Sequence, residues 1–404
     1  MADSRTLTAR RVFPVAGPPL DRGTVTVRGG VIEAVAPRGE RTADEDLGNV
    51  AIVPGLVNAH THLDLSGARG RIPPTDPDHF TDWLRGVIAY RRSRTPDELQ
   101  ADIRAGLAEC LRAGTTLVGD ITAEGASWDA VAEAKTRAVV FRELIGLSKK
   151  RHYDASRAAN HWVAGRYPGT ATCQPGISPH APYSFRADGL SHPSYIPDFG
   201  NRVTIHLAET RAELELLDKR SGAFVVFLAE LGVWDPSGLA WGPEQVLSST
   251  SWAKHALYAH CNYLSPEVAF GENQSIVYCP RTHAAFGHPP HPFREFLRRG
   301  VRVCLGTDSL ASNPDLDILA EARFVRSRYP DFPGDQLLRM VTLAGAEALG
   351  WAGECGSLDA GKSADLVAVP LPDRDAADPH ELVLSDHPGE RRTMFRGEWR
   401  SSPS

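Results

Sequence analysis

The sequence predicts an α/β protein organised around a (β/α)8 TIM-like barrel. Eight apolar runs of strand length occur in its middle region, and helix-like stretches separate most of them. Such alternation over about 250 residues is typical of a parallel barrel. An open doubly wound sheet is the alternative, but the sequence lacks the GxGxxG motif of that fold. The runs are residues 51–60, 115–122, 138–146, 173–180, 203–209, 256–261, 275–281 and 301–308.

Short strand-like segments flank the barrel region at both ends of the chain. Residues 24–28 and 31–35 are separated by a Gly-Gly pair, which indicates a hairpin. Residues 365–369 and 381–384 predict two further strands, with a surface loop over 370–380 between them. Two small β regions are therefore expected beside the barrel.

The clearest helix is predicted to begin after Thr95. Thr95 and Glu98 form a capping-box pattern, and Pro96 suits the first helical position. Apolar residues then recur on one face, and Gly114 is placed to end the helix.

Composition excludes several classes of protein. The chain has 404 residues, of which 42% are apolar and 23% charged, so it can bury a large core and is not disordered. A net charge of −6 disfavours binding to nucleic acid, and no run of ~18 apolar residues predicts a membrane span. The six cysteines are scattered and form no CxxC pair, so a disulfide framework is not expected and a cytoplasmic location fits.

Most of the predicted strands end in a polar residue, and a barrel of this kind carries its active site at those ends. The strand-end residues are His60, His62, Asp120, Arg142 or Glu143, His180, His206, His260, Arg281 and Asp308. His60 and His62 are two residues apart, so both imidazoles face one cavity. With His206 and Asp308 they supply three nitrogens and one oxygen, which suits zinc or iron and leaves a position open for water. The sequence therefore predicts a catalytic metal site.

Glu209 lies three residues after the predicted ligand His206. A metal lowers the pKa of a bound water to ~7, and attack on carbon also needs a positioned acid or base. Glu209 suits that role. The alternative is that Glu209 only places a favourable negative charge at the start of the following helix.

Residues 356–363 match the GxxxxGK[ST] phosphate-loop pattern. A phosphate loop follows a strand and precedes a helix, whereas this segment follows a helix-like stretch and precedes a strand. We therefore interpret it as a turn into a strand.

Several motifs together resemble the amidohydrolase superfamily. They are VPGLVNAHTH (53–62), HLAE (206–209), His260, GTDS (306–309) and GSLDAGKSADLVAV (356–369). The resemblance covers nearly the whole chain and is closest to the aromatic-base deaminase branch. It implies a metal-dependent barrel over 54–354 and a composite β-sandwich made from residues 1–53 and 355–404.

The same resemblance implies roles for individual residues. Four of them would hold one metal: His60, His62, His206 and Asp308. Asp308 would also act as a base, Glu209 would shuttle protons, and His260 would hydrogen-bond the attacking hydroxide. A second metal usually needs a lysine or glutamate at the end of the fourth strand. Because His180 occupies that place, one metal is expected.

Substrate contacts are the least defined part of the site. The resemblance implies that His180 touches substrate, and Arg142 or Glu143 is expected to line the same pocket. The segment CPRTH (279–283) departs from the CPxSN-like segment of S-adenosylhomocysteine deaminases. Arg281 and His283 are therefore candidates for binding an anionic or hydroxylated substituent. Alternatively, they only brace the loop.

We therefore expect a metal-dependent aminohydrolase that releases ammonia from an adenine nucleoside derivative. The substrate would be aminofutalosine or of the S-adenosylhomocysteine/methylthioadenosine type. An alternative is a guanine, pterin or s-triazine hydrolase on the same scaffold, and another is an inactive metal-retaining binding protein. Zinc is the expected cofactor, with iron as the alternative, and a homodimer is the default expectation.

Overall fold

The structure is a computed structural model that describes residues 4–162, 169–191 and 202–400. Its strands are β1 (Ser4–Thr8), β2 (Arg11–Val12), β3 (Leu20–Asp21), β4 (Thr24–Arg28), β5 (Val31–Ala36), β6 (Glu45–Asp46), β7 (Val50–Pro54), β8 (Leu56–Thr61), β9 (Thr115–Ala123), β10 (Arg137–Leu144), β11 (Cys173–Pro179), β12 (Arg202–Leu207), β13 (His255–His260), β14 (Gln274–Tyr278), β15 (Arg302–Leu305), β16 (Leu366–Pro370), β17 (Arg392–Phe395) and β18 (Glu398–Trp399).

Strands β8 to β15 form one parallel eight-stranded sheet in chain order. The seam between β8 and the chain beyond β15 is joined by a single parallel bridge, Thr61 to Asp308. Asp308 N donates to His60 O at 3.0 Å across this seam, and Thr61 Oγ1 donates to Asp308 O at 3.1 Å. The predicted TIM-like barrel is therefore confirmed.

The helices surround the barrel. They are α1 (Phe80–Ser93), α2 (Pro96–Arg112), α3 (Trp128–Glu133), α4 (Lys149–His161), α5 (Arg211–Lys219), α6 (Ala223–Glu230), α7 (Pro243–Ser249), α8 (Pro280–Ala285), α9 (Phe293–Arg298), α10 (Ile318–Arg328), α11 (Gly334–Met340), α12 (Leu343–Leu349) and α13 (His380–Leu384). The predicted capping box of α2 is present: Thr95 Oγ1 accepts from Glu98 N, and Glu98 Oε2 accepts from Thr95 N. No helix among the described residues combines the length and the apolar character that crossing a bilayer requires.

The two ends of the chain build a pair of small sheets beside the barrel. One has the order β5-β4-β1-β6, and the other has the order β18-β17-β16-β7-β2-β3. The second sheet joins N-terminal and C-terminal strands through antiparallel pairing of β7 with β16. The apolar cluster of this region combines residues from both ends of the chain, among them Leu7, Val25, Ile52, Leu366 and Met394. The domain boundaries at 53/54 and 354/355 stay a prediction.

The prediction of a strand over 381–384 is wrong, because these residues form helix α13. Leu382, Val383 and Leu384 are all buried, so the run shows no alternation that would separate strand from helix. Residues 356–363, in contrast, form the predicted turn between α12 and β16. Lys362 Nζ donates to Ser357 Oγ at 2.6 Å within that turn.

Candidate active site

Four histidines and one aspartate meet at the C-terminal ends of the barrel strands. His60 lies in β8 and His62 follows it, His206 lies in β12, His260 ends β13, and Asp308 follows β15. All five side chains are buried. The ring nitrogens and carboxylate oxygens form two overlapping groups, His60–His62–His206 and His60–His260–Asp308, each with its atoms within 4.8 Å of one another.

The ring nitrogens and the carboxylate of this cluster converge on one point of the cavity. Asp308 Oδ1 lies 3.6 Å from His60 Nε2 and 3.7 Å from His62 Nε2. His206 Nδ1 donates to the backbone oxygen of His180 at 2.8 Å, which directs its Nε2 lone pair inward. That Nε2 lies 3.3 Å from His62 Nε2.

This donor set fits a divalent cation. Both ring nitrogens of His60 are buried without a hydrogen-bond partner, and so is His62 Nδ1. Unpartnered buried nitrogens are costly unless something else satisfies them. Imidazole and carboxylate are ligands that zinc and other first-row divalent metals prefer. A cation between these side chains would satisfy the inward-facing nitrogens of His60, His62 and His206.

Burial keeps the imidazoles in the form that binds metal. Desolvation lowers the pKa of His62 and of His260 to about 3 and holds that of His206 well below its ordinary value. Burial acts in the opposite direction on Asp308, but its interactions with the surrounding histidines, above all the nearby His60, lower the pKa of its carboxyl. The site therefore offers neutral imidazoles at these three histidines and an ionised carboxylate at Asp308.

Several strand ends adopt a left-handed backbone at the site. The φ angles are 50° at Ala208, 69° at His260, 55° at Cys261 and 57° at Asp308. Non-glycine residues adopt such angles at a cost and do so mostly at functional sites. At His260 a hydrogen bond stabilises this conformation: His291 Nε2 donates to His260 O at 2.7 Å.

Glu209 lies beside this cluster in a buried position. Its Oε1 is 3.5 Å from His260 Nε2. Burial, followed by the charges of Asp308 and Glu213, raises the pKa of Glu209 well above its ordinary value. Its backbone is fixed by Glu213, whose carboxylate accepts from Ala208 N at 2.8 Å and from Glu209 N at 3.0 Å.

The helix-terminus interpretation of Glu209 receives no support from this geometry. Helix α5 begins at Arg211, and Thr210 is its N-cap, accepting from Glu213 N at 3.1 Å. Glu209 lies before that cap, and its carboxyl group faces His260 instead.

His180 and Glu143 line the same cavity. The complete described lining is His62, Leu65, Phe80, Trp83, Leu84, Val87, Arg91, Glu143, His180, Tyr183, His206, Glu209, His260, Asp308 and Ser309. His180 Nδ1 is hydrogen-bonded to Ser184 Oγ at 2.8 Å, and its ring lies 4.9 Å from that of His206. Glu143 Oε1 lies 3.9 Å from His180 Nε2.

Arg142, the predicted alternative to Glu143, is not brought into the cavity. Neighbouring residues of a strand point to opposite faces, so only one of the two can face inward. Arg142 Nη1 donates to Glu124 O at 2.9 Å, and its guanidinium lies 6.0 Å from the centre of the Trp162 ring. Of these two residues, Glu143 is therefore the one that lines the described cavity, and its contact with substrate stays a prediction.

Arg281 and His283 also lie outside the described lining of the cavity. Arg281 Nε donates to Glu321 Oε1 at 2.7 Å, and its Nη2 donates to Asp315 Oδ1 at 2.6 Å. His283 is buried against Tyr278 and two neighbouring histidines. This geometry favours the alternative in which both residues brace the loop.

Helix α1 contributes a wall of the cavity that was not predicted from the sequence. Phe80, Trp83, Leu84 and Val87 form an apolar stripe along this helix, and Arg91 follows one turn later. The spacing i, i+3, i+4, i+7 is visible in the sequence and predicts a buried helix face. It carries no information about which surface that face covers.

The sequence matches a known family over most of its length. The amidohydrolase family matches residues 51–400. A 5-methylthioadenosine/S-adenosylhomocysteine deaminase from Moorella thermoacetica is 32% identical over 398 residues, which cover 93% of this chain and 86% of the relative. A protein of the same name from Syntrophobacter fumaroxidans is 30% identical, with coverage of 86% and 80%.

Solved structures share the fold. Helicobacter pylori aminofutalosine deaminase in complex with methylthio-coformycin superposes with a TM-score of 0.86 at 22% identity, covering 98% of this chain and all of the other. An adenosine deaminase from Xanthomonas campestris with bound zinc gives 0.77 at 23%, covering 98% and 92%. Atrazine chlorohydrolase TrzN from Arthrobacter aurescens TC1 gives 0.78 at 20%, covering 98% and 94%. These identities support the fold alone, and it is the match over 51–400 together with the 32% identical relative that assigns the chain to the amidohydrolase family.

Proposed function

We propose that this protein is a metal-dependent aminohydrolase that removes the exocyclic amino group of an adenine nucleoside derivative and releases ammonia. The observation that carries the proposal is the buried Glu209 carboxyl group beside the His60–His62–His206–Asp308 cluster. Metal retention alone requires no carboxyl group poised beside the metal ligands. The relatives named 5-methylthioadenosine/S-adenosylhomocysteine deaminase support the choice of substrate class.

His60, His62, His206 and Asp308 would hold the metal, and zinc suits their nitrogen and oxygen donors. When bound, such a cation acts as a Lewis acid and lowers the pKa of water. We propose one ion per chain, because His180 occupies the end of the fourth barrel strand.

The protein's own groups then move the protons. Glu209, kept protonated by burial, donates its proton to the ring nitrogen next to the attacked carbon. Asp308 Oδ1 takes one proton from the attacking water and passes it to the amino group, which leaves as ammonia when the C–N bond breaks. The remaining hydroxyl proton returns to Glu209, and the carbonyl product forms. His260 Nε2, 3.5 Å from Glu209 Oε1, holds the attacking oxygen between the two carboxyl groups.

An ammonia-release screen on the metal-loaded protein tests this function. The panel contains adenine nucleosides with different 5′ substituents, guanine, a pterin and amino-s-triazines, and metal-free protein is the control. We expect release from adenine nucleosides. Release only from another ring system would assign the site to that amine, and no release from any of them would support the inactive binding protein.

Two further properties belong to this proposal. All six cysteines are free and buried, which suits a reducing compartment such as the cytoplasm. A homodimer is proposed from the frequency of twofold oligomers among soluble proteins, and sedimentation of the purified protein tests it.

A further inference from the structure

The cavity contains a second buried carboxylate that the proposed chemistry does not use. Glu143 lies near the end of β10, and its side chain is 4% exposed. Its Oε2 accepts a hydrogen bond from Arg91 Nη1 at 2.7 Å. Its Oε1 is buried without a hydrogen-bond partner. A buried unpartnered carboxylate oxygen is costly, and in a ligand cavity it marks a place for a donor.

The surroundings of Glu143 keep it ionised. Arg91 is itself fixed by Asp64, whose Oδ2 lies 3.2 Å from Arg91 Nη2 and accepts from Ala123 N at 3.3 Å. Burial opposes ionisation of Glu143, but the charge of Arg91 outweighs it and lowers the pKa of Glu143 to about 2. An ionised carboxylate can only accept hydrogen bonds. The group that meets Oε1 must therefore be a donor.

On the proposed function, an adenine nucleoside has few donors to offer. Its exocyclic amino group has to lie beside Glu209 and the metal ligands, where the C–N bond breaks. His180 contacts both His206 and Glu143, so Glu143 lies across an imidazole ring from the metal ligands. The donors that all the candidate substrates share beyond this amino group are the hydroxyl groups of the sugar.

We propose that Glu143 is a specificity-determining residue that accepts a hydrogen bond from a sugar hydroxyl of the substrate, with Arg91 and Asp64 as its positioning residues. This inference rests on the proposed function. Among the described residues that line the cavity, Arg91 is the sole arginine or lysine, and both its carboxylate partners already bind it. Glu143 Oε1 is the buried carboxylate oxygen of this lining that has no hydrogen-bond partner, so it offers an acceptor for a sugar hydroxyl.

A competing role for Glu143 is orientation of His180, whose Nε2 is 3.9 Å away. The two roles differ in their dependence on the substrate. An acceptor for a hydroxyl group matters only when the hydroxyl is present. A residue that only orients His180 affects every adenine substrate to the same extent.

The experiment compares an adenine ribonucleoside with its 2′,3′-dideoxy counterpart, on the unmodified protein and on Glu143→Gln. On the unmodified protein we expect kcat/KM to be about 10- to 150-fold lower for the dideoxy compound, the worth of a hydrogen bond to a charged group. In Glu143→Gln, kcat/KM for the ribonucleoside should fall by a similar factor, mainly through a higher KM. For the dideoxy compound, kcat/KM should fall by less than about threefold. Glu133→Gln, an exposed substitution of the same kind on α3, is the matched control.

Three outcomes overturn the inference. Equal kcat/KM for the two substrates on the unmodified protein would do so even if Glu143→Gln fails to fold. Equal losses on both substrates in Glu143→Gln would assign Glu143 to the orientation of His180. If the protein deaminated other amines but no adenine nucleoside, the proposed function would be refuted, and the inference with it. Calorimetric binding of the deaminated ribonucleoside gives a readout without turnover, and Glu143→Gln should weaken it by the same factor.

Discussion

At the scale of single residues, burial determines what each carboxyl group of the cavity can do. Glu209 is enclosed without a cationic partner, so its pKa rises and it holds a proton. Glu143 is equally enclosed but faces Arg91, so its pKa falls. Two glutamates in one cavity thus differ in protonation because one has a guanidinium partner and the other lies near two further carboxylates, Asp308 and Glu213. One is suited to give a proton and the other to accept a hydrogen bond.

Replacing Glu209 with glutamine should separate chemistry from metal binding. Glutamine keeps the shape of the side chain but cannot donate and retake a proton. We expect Glu209→Gln to fold normally and retain its metal, while turnover falls ~10²–10⁴-fold, the usual worth of a general acid or base. Metal content and steady-state kinetics measure the two effects, with Glu244→Gln on the surface as control. Near-normal turnover would show that another residue carries the proton, and loss of metal would make Glu209 a ligand.

Asp120 should make stability depend on pH. Burial raises its pKa from 3.8 to about 7 in the folded protein. Between these values the folded state keeps a proton that the unfolded state has lost, so the free energy of unfolding decreases as pH rises. Asp120→Asn removes this dependence. From pH 5 to pH 8 the free energy of unfolding of the unmodified protein should fall by on the order of 2–3 kcal/mol more than that of the variant.

Chemical denaturation of both proteins at the two pH values measures this difference, and all other titrating groups cancel in the comparison. Asp129→Asn, an exposed substitution on α3, should follow the unmodified protein. Parallel pH profiles for Asp120→Asn and the unmodified protein would mean that Asp120 ionises freely in the folded state.

Polar residues at strand ends were predictable because parallel strands of a barrel end on one face. Five of these residues were therefore expected to lie together and do so in the structure: His60, His62, His206, His260 and Asp308. It could not choose between Arg142 and Glu143, because that choice depends on how the strand is rotated in the barrel. The pairing of Arg91 with Asp64 could not be predicted either, since tertiary packing brings helix α1 and its Arg91 to the cavity and to Asp64.

At the scale of secondary-structure elements, the eight barrel strands were predictable and the C-terminal helix was not. The strand runs are apolar, of strand length and separated by helical patterns, so several signals agree. The first run, residues 51–60, was expected to be one strand. In the structure Gly55 divides it into β7 of the terminal sheet and β8 of the barrel. Residues 381–384 offered a single short apolar run, which does not distinguish a strand from a buried helix.

Gly306 should be essential where the barrel closes. A Cβ atom at this position would lie 2.8 Å from His60 Cβ and 2.9 Å from both His60 O and Val277 Cγ1. Gly306→Ala must therefore displace β8 and the imidazole it carries. We expect metal affinity to fall about 10- to 100-fold, as when a partner of a ligand is lost. Competition with a chelator measures the affinity.

Gly353→Ala is the matched control for this substitution, because no atom lies within 4 Å of a Cβ built there. Unchanged metal affinity in Gly306→Ala would mean that the seam accommodates a methyl group without moving His60.

At the scale of the whole molecule, the metal should contribute to the stability of the barrel. The proposed ligands come from both sides of the seam, with His60 and His62 on one side and Asp308 on the other. An ion bound only by the folded state stabilises it by about 4 kcal/mol at a concentration 1,000 times its Kd. We therefore expect one ion per chain by mass spectrometry. We also expect a thermal midpoint that falls on chelation and recovers when zinc is added back.

Two tightly held ions per chain would contradict the single site. A thermal midpoint that chelation leaves unchanged, with the metal shown to be gone, would mean that the seam is stable without it.

The seam also fixes when the site can be completed during synthesis of the protein. Thr61 and Asp308, which form its single bridge, are 247 residues apart, and the ribosome releases the N-terminal partner first. His60 and His62 thus emerge early, but the proposed set of ligands is complete only after Asp308, which follows the last barrel strand, has been synthesised. Metal acquisition is therefore tied to translation of the region around residue 308. A pulse-labelling experiment with radioactive zinc tests this. Zinc should accumulate in completed, released chains and not in ribosome-bound chains that end before residue 308.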